Sequence, residues 1–240
     1  MQRESEGILL EVRPHGESSC ICKVFTEKYG LVAGLVKGGR KKRAELTEGN
    51  LVHMNHARRL ESQLGTMRLE VLHNNAIAVF DTPVRLHMLR YQCEIMAALL
   101  PEDVEQPKFY DRTKAMITSL AQHPVPWQAL AEWEVDILSA VGFGLSLSPE
   151  EAVPCEAGSP LYYVSPKSGR AVSQVMGQPY HDKMLILPRF FGGQIGEILD
   201  VFTLTGHFLK HALEELAPFK REITSRNMVI DMLIADARDD

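Results

Sequence analysis

Gly7-Ile8-Leu9-Leu10-Glu11-Val12-Arg13, then Pro14-His15-Gly16-Glu17, then Ser19-Cys20-Ile21-Cys22-Lys23-Val24-Phe25-Thr26 are two runs of strand length joined by turn residues. Apolar and polar positions alternate at period two. Ile8, Leu10 and Val12 are expected on one face with Glu11 and Arg13 opposite, and Cys20, Cys22 and Val24 on a face opposing Lys23. Three more runs of similar length follow at residues 31–37, 50–56 and 66–73, with Lys28-Tyr29-Gly30 as a further turn. Five short strands ahead of residue 75 predict a small closed β-barrel.

Between the third and fourth of these strands lies Lys37-Gly38-Gly39-Arg40-Lys41-Lys42-Arg43, which places five cations and two glycines in seven residues on a loop. The chain as a whole is acidic, with 26 Lys+Arg against 31 Asp+Glu in 240 residues. Residues 1–80 hold 12 cations and 9 anions, and the remainder 14 and 22, so the charge changes sign along the chain. That asymmetry points to a polyanion-facing front end. The glycines let the loop backbone approach and follow a strand. Aromatic residues are scarce here: only Phe25 and Tyr29 occur before residue 76. Base stacking is therefore a minor source of affinity, and charge with strong salt dependence the major one.

From Pro83 the period becomes helical. Leu86, Leu89, Cys93, Met96 and Leu100 mark one helix, Phe109, Thr113, Met116, Ile117 and Leu120 a second, and Leu130, Trp133, Ile137 and Val141 a third, stopped by Gly142-Phe143-Gly144. Residues 145–191 are irregular, with short extended pieces at 161–164 and 170–173. Ile195, Ile198, Phe202, Leu209, Leu213 and Leu216 predict a long helix, and residues 225–237 a final one.

No apolar run is long enough to span a bilayer and the first residues are polar and acidic, so a cytoplasmic protein is expected. Cys20, Cys22, Cys93 and Cys155 are too scattered for a disulfide framework and read as buried thiols. Phosphate-loop, nucleophile-elbow and zinc-protease signatures are missing, and no cofactor is implied. His53 and His56 fall on opposite faces of a strand. His207 and His211 are one helical turn apart with Glu214 beyond, but Phe208 stands where a zinc protease has its glutamate. A catalytic site, and a metal site at His207 and His211, are not expected.

The ordered set Glu6-Gly7-Ile8-Leu9-Leu10, Arg13-Pro14-His15-Gly16-Glu17-Ser18-Ser19, Phe25-Thr26-Glu27-Lys28-Tyr29-Gly30-Leu31, the basic loop, Leu99-Leu100-Pro101-Glu102, Trp133-Glu134, Val141-Gly142-Phe143-Gly144-Leu145, Val164-Ser165-Pro166 and Thr224-Ser225-Arg226 resembles the bacterial RecO family of recombination mediators. The resemblance implies an α+β multidomain protein. An N-terminal five-stranded OB-fold barrel would occupy residues 1–80, a helical domain residues 81–144 and 194–240, and a zinc-finger-like region residues 145–193. It also implies a non-enzymatic, nucleoid-associated protein that binds single- and double-stranded DNA and anneals complementary strands. Its partners would be RecR and the tail of single-strand-binding protein (SSB), in loading recombinase.

Carried onto this sequence, the DNA-binding cations are Lys37, Arg40, Lys41, Lys42 and Arg43, with Arg13, Lys28, Arg58, Arg59 and Arg68 in the same domain. The chain departs from the family twice. Many relatives carry two C-x-x-C pairs in the zinc-finger-like region. Here only Cys155 remains, so that module is expected to fold without metal around Leu161 and Tyr163. A basic pair common in the third helix is replaced by Ala131 and Glu132, leaving Lys108, Arg112 and Lys114 as candidate contacts for the SSB tail. A protein-interaction scaffold whose basic loop meets an acidic partner is the rival reading, and a hydrolase centred on His207 and His211 a remote third.

Overall fold

The computed structural model describes residues 1–60, 62–120, 122, 126–154, 158–217 and 223–239. Five strands, β1 (Gln2–His15), β2 (Ser19–Thr26), β3 (Gly30–Val36), β4 (Leu51–Ala57) and β5 (Thr66–His73), close into a barrel of order β1-β2-β3-β5-β4. The expected five-stranded closed barrel is present. One long strand makes closure feasible: residues 2–8 of β1 pair with β4 while residues 7–15 pair with β2, all antiparallel. The last seam is the parallel contact of β3 with β5, where Leu35 N donates to Gly65 O at 3.1 Å.

The first strand begins five residues earlier than its hydrophobic pattern suggests, and its faces differ from strict alternation. A bulge interrupts the β1–β2 register between Leu9 and Glu11. Leu9 and Val12, three residues apart, therefore both enter the barrel core with Cys20, Cys22, Val24, Val32, Val36, Leu46, Val52, Met54 and Met67. The expected Ile8, Leu10, Val12 face is thus corrected. Ile8 and Leu10 are buried as well, although they do not belong to this cluster. The β2 alternation is as expected. Cys20 and Cys22 point into the core, and burial pushes the Cys22 thiol up to about 12, so it stays protonated at neutral pH.

Three helices follow, the short α1 (Asn75–Ala78) and then α2 (Pro83–Leu99) and α3 (Pro107–Leu120). Rings of α3 cover the outside of the barrel: Phe25 lies 5.8 Å from Phe109 and 5.5 Å from Tyr110, centroid to centroid. Leu89 of α2 packs over Gly49, where a Cβ would approach to 2.6 Å. The barrel, α2 and α3 form one compact unit, Met1–Val125 with Arg221–Met232. The helices predicted from residue 81 onward are consequently divided between two units. The physical reason is that α2 and α3 bury their apolar faces on the barrel.

The second unit, Pro126–Lys220 with Leu233–Asp240, holds α4 (Trp127–Ala140), β6 (Leu161–Val164), β7 (Ala171–Ser173), α5 (Gln174–Gly177), β8 (Leu185–Ile186) and α6 (Ile198–Leu216). The last helix, α7 (Thr224–Asp239), begins within the first unit. Trp127 packs edge-on to Phe190 at 5.0 Å and Phe202 at 6.4 Å. The fully buried Glu134 of α4 accepts a hydrogen bond from Thr205 Oγ1 of α6 at 2.5 Å. Residues 161–186 form a three-stranded antiparallel sheet of order β7-β6-β8, with Leu161, Tyr163 and Val164 buried. The short β8 had no signature in the hydrophobic pattern. Cys155 lies outside the described residues.

Candidate nucleic-acid interface

The basic segment is a single 3-10 turn, Gly39–Lys42, rather than an open loop. It starts from Gly38 in the left-handed region at φ +71°, a conformation that glycine adopts without steric cost. Gly39 is buried against Cys20, and the turn is thereby anchored on the end of β2. Lys37, Arg40, Lys41, Lys42 and Arg43 are all exposed.

Their chemical roles separate. Arg40 is a brace: its backbone N donates to Ser18 O at 3.0 Å and its Nη1 to Gly16 O at 3.0 Å and Glu17 O at 3.4 Å, tying the β1–β2 turn to the basic turn. Arg43 donates to Leu46 O at 2.6 Å and pairs with Glu48 at 3.1 Å, which neutralises part of its charge. Lys37, Lys41 and Lys42 have no ion-pair partner among the described residues and keep their full charge for an incoming polyanion.

Lys37 and Lys42 also line a concavity of about 620 Å³ on the wall formed by β3, β4 and β5. Leu35, His53, Asn55, Thr66, Arg68 and Glu70 also line it. The alternation of β5 aims Arg68 outward, opposite Asn55 of β4. Lys37, Lys42 and Arg68 thus line one groove, a form suited to a charged backbone. Glu70 lies in the same wall, opposite His53, which itself sits 3.0 Å from Glu4.

The remaining predicted cations are dispersed. Arg13 is exposed at the far end of β1 and lies 3.6 Å from Glu11. Lys28 and Arg59 are exposed on turns. Arg58 differs from the expected phosphate ligand: its side chain is only 9% exposed and its Nη2 donates to Asp103 Oδ2 at 2.9 Å. Arg3 of β1 binds the other oxygen of the same carboxylate and lies 5.2 Å from the Tyr29 ring. Partial burial alone would raise the Asp103 pKa. The hydrogen bonds and charges of the two guanidiniums outweigh it and hold the group below its ordinary value. Arg3 is absent from the sequence-derived set because it sits in a polar run without periodicity.

On α3, Lys108 and Arg112 are one turn apart and exposed. Lys114 is turned elsewhere: it pairs with Glu6 of β1 at 2.9 Å, a contact that lowers the Glu6 pKa, and it borders a second concavity of about 720 Å³. In α4, Ala131 is fully buried and Glu132 exposed, so the first of these positions could not present a cation to solvent. His207 Nε2 lies 3.4 Å from Pro166 O, whereas His211 Nε2 lies 3.4 Å from Glu215, so the two rings engage different partners. No group of three or more metal-ligating side chains occurs among the described residues, nor is any helix long and apolar enough to cross a membrane.

Comparison with known proteins gives this barrel and its helices a family. Residues 1–75 match Recombination protein O N terminal and residues 81–222 match Recombination protein O C terminal. A protein of Rhodospirillum centenum named DNA repair protein RecO is 37% identical over 219 residues, covering 89% of this chain and 87% of its own. Proteins of the same name from Rhodospirillum rubrum, 37% identical over 241 residues, and Mesorhizobium japonicum, 38% identical over 229, cover 95% and 90% of this chain and 94% and 88% of their own. With both halves matched and the likeness sustained along nearly its whole length, the chain belongs to the recombination protein O (RecO) family.

Proposed function

We propose that this protein acts in DNA repair and recombination as a non-enzymatic DNA-binding protein that anneals complementary single strands. The observation that carries the reading is the un-neutralised set Lys37, Lys41, Lys42 and Arg68, gathered around one groove and one exposed turn of an otherwise acidic chain. Cations on a shallow groove grip phosphates without reading base edges. A strand held by its backbone leaves its bases free to pair, and that is the physical requirement of annealing.

The barrel is read as an OB-fold, a five-stranded barrel that lends one wall to oligonucleotides. The strand order and the groove on β3, β4 and β5 support this. RecR and the SSB tail are the proposed partners in loading recombinase, with Lys108 and Arg112 the cations offered to the acidic tail. Residues 145–193 are read as the family's zinc-finger-like module folded without metal, supported by the packing of Leu161 and Tyr163. Stoichiometric zinc in the purified protein would refute that last point.

The test of DNA binding is titration of a fluorescent single strand over a salt series. Neutralising about four phosphates gives a log-log slope near −3. A flat salt dependence, or no binding at low salt, would transfer the basic turn to the rival role of meeting an acidic protein.

A further inference from the structure

Arg3 and Arg58 approach one another from β1 and from the residue after β4, and they share one carboxylate. Arg3 Nη1 binds Asp103 Oδ1 and Arg58 Nη2 binds Asp103 Oδ2, one guanidinium to each oxygen. Two positive charges therefore face one negative charge. Both arginines are more than nine-tenths buried, and the Nε of each is buried without any hydrogen-bond partner among the described residues. Buried donors of this kind are nearly always satisfied in folded proteins, so two in one charge-imbalanced cluster identify a site built for more acceptor oxygens than Asp103 supplies. The Tyr29 ring backs Arg3.

The occupant is unlike its surroundings. Asp103 has φ +60°, alone among non-glycine residues in the described chain. It lies in the short connection between α2 and α3, where its carboxylate remains 36% exposed while the arginines beneath are covered. That connection is fastened to β3 by Asp103 N donating to Leu31 O at 2.9 Å and by a bridge between Leu31 and Glu102. Unfavourable backbone conformations persist where neighbouring contacts over-determine them, and they concentrate at binding and switching positions.

We propose that Arg3 and Arg58 form a concealed phosphate site, and that Asp103 occupies it as an internal competitor. The fork of two oxygens that a carboxylate presents to two guanidiniums is matched by the non-bridging oxygens of a phosphodiester, whose tetrahedral phosphorus supplies further acceptors. The ligand class is a phosphate monoanion or diester. Its source is the backbone of bound DNA in the first instance, so this part rests on the DNA-binding reading, with free phosphate as the alternative source. While Asp103 is seated the two arginines add nothing to the salt dependence of DNA binding. With the seat vacated, the two arginines together take one phosphate.

The experiment compares the full chain with Asp103→Asn, Asp103→Gly and Glu105→Gln. Asp103→Gly removes the carboxylate and suits the positive φ, and so guards against a misfolded Asn variant. Glu105→Gln removes the same charge from the same connection without touching either arginine. The expected result is that both Asp103 variants bind a single strand with a log-log salt slope steeper by about 0.7, one further phosphate, while Glu105→Gln keeps the native slope. Adding Arg58→Ala to Asp103→Gly breaks the two-guanidinium fork and removes most of that gain. Equal slopes in all four proteins, or an equal change in Glu105→Gln, overturn the proposal. A second arm titrates inorganic phosphate and follows thermal unfolding: free phosphate as the source predicts a rise in Tm for the Asp103 variants that the native chain lacks, and DNA as the sole source predicts none. If no protein binds DNA at low salt the proposed function fails. The phosphate arm then decides the site alone, with a Tm rise upholding it and no rise overturning it.

Discussion

Gly30 and Gly38 both have positive φ, +66° and +71°, yet their surroundings are opposite. A Cβ on Gly30 would stand 1.9 Å from Val104 O, whereas one on Gly38 would meet nothing within 4 Å. Gly30→Ala is expected to cost at least about 2 kcal/mol in urea unfolding, and Gly38→Ala about 1 kcal/mol, the left-handed penalty alone. Near-equal losses would show that the α2–α3 connection does not press on β3 as described. Neighbouring Arg58 and Arg59 should also separate. Arg58→Ala removes half of the Asp103 clamp and costs about 1–2 kcal/mol, moderated by the exposure of the carboxylate. Arg59→Ala leaves stability unchanged. The clamp has a pH signature with a definite sign. Because the folded Asp103 pKa is depressed, its stabilisation is fully present above the unfolded value of about 3.9 and is lost as the pH falls through the lower folded value. The difference in unfolding free energy between native protein and Asp103→Asn, measured at pH 6 and again near pH 2, is expected to shrink.

At the scale of the element, strands were legible wherever apolar residues alternated on a barrel with one wet side. Residues 19–26 gave β2 with its bounds and its core face because Cys20, Cys22 and Val24 are inward and Lys23 outward. β1 was legible only in its second half. Its first residues carry polar side chains, and the burial of Arg3 and Ser5 arises from tertiary partners that no local pattern encodes. Its core face was misread because a bulge shifts the side-chain phase by one residue, and a continuous Ile8-Leu9-Leu10 run conceals where the shift occurs. The basic turn was legible as composition but not as a division of labour. Arg40 looks equivalent to Lys41 in sequence, and only the fold directs its guanidinium to the carbonyls of residues 16 and 17. Amide hydrogen exchange tests that division: Arg40→Ala should speed exchange in the β1–β2 turn, and Lys41→Ala should not. Equal protection in the two variants would return Arg40 to the set of proposed phosphate ligands.

At the scale of the molecule, the helices were legible from their 3.6-residue period, and their allocation was not. Periodicity reports that α2 and α3 have an apolar face, but the partner of that face is the outside of the barrel, set by long-range contacts such as Phe25 with Phe109 and Tyr110. The net charge of −5 makes the bulk of the protein repellent to a polyanion, so the proposed DNA contact belongs on the surface where cations outnumber anions. The central claim is that Lys37, Lys41 and Lys42 form the working surface. It is tested most directly by following the annealing of complementary single strands across a salt series, native chain against Lys37→Ala/Lys41→Ala/Lys42→Ala, with thermal unfolding as the check on folding. The account predicts that the native protein accelerates annealing, and that the folded variant loses most of that acceleration together with about 2 units of the salt slope for single-strand binding, three contacts at about 0.7 each. A folded variant that anneals strands as fast as the native protein, with the same salt slope, would contradict it.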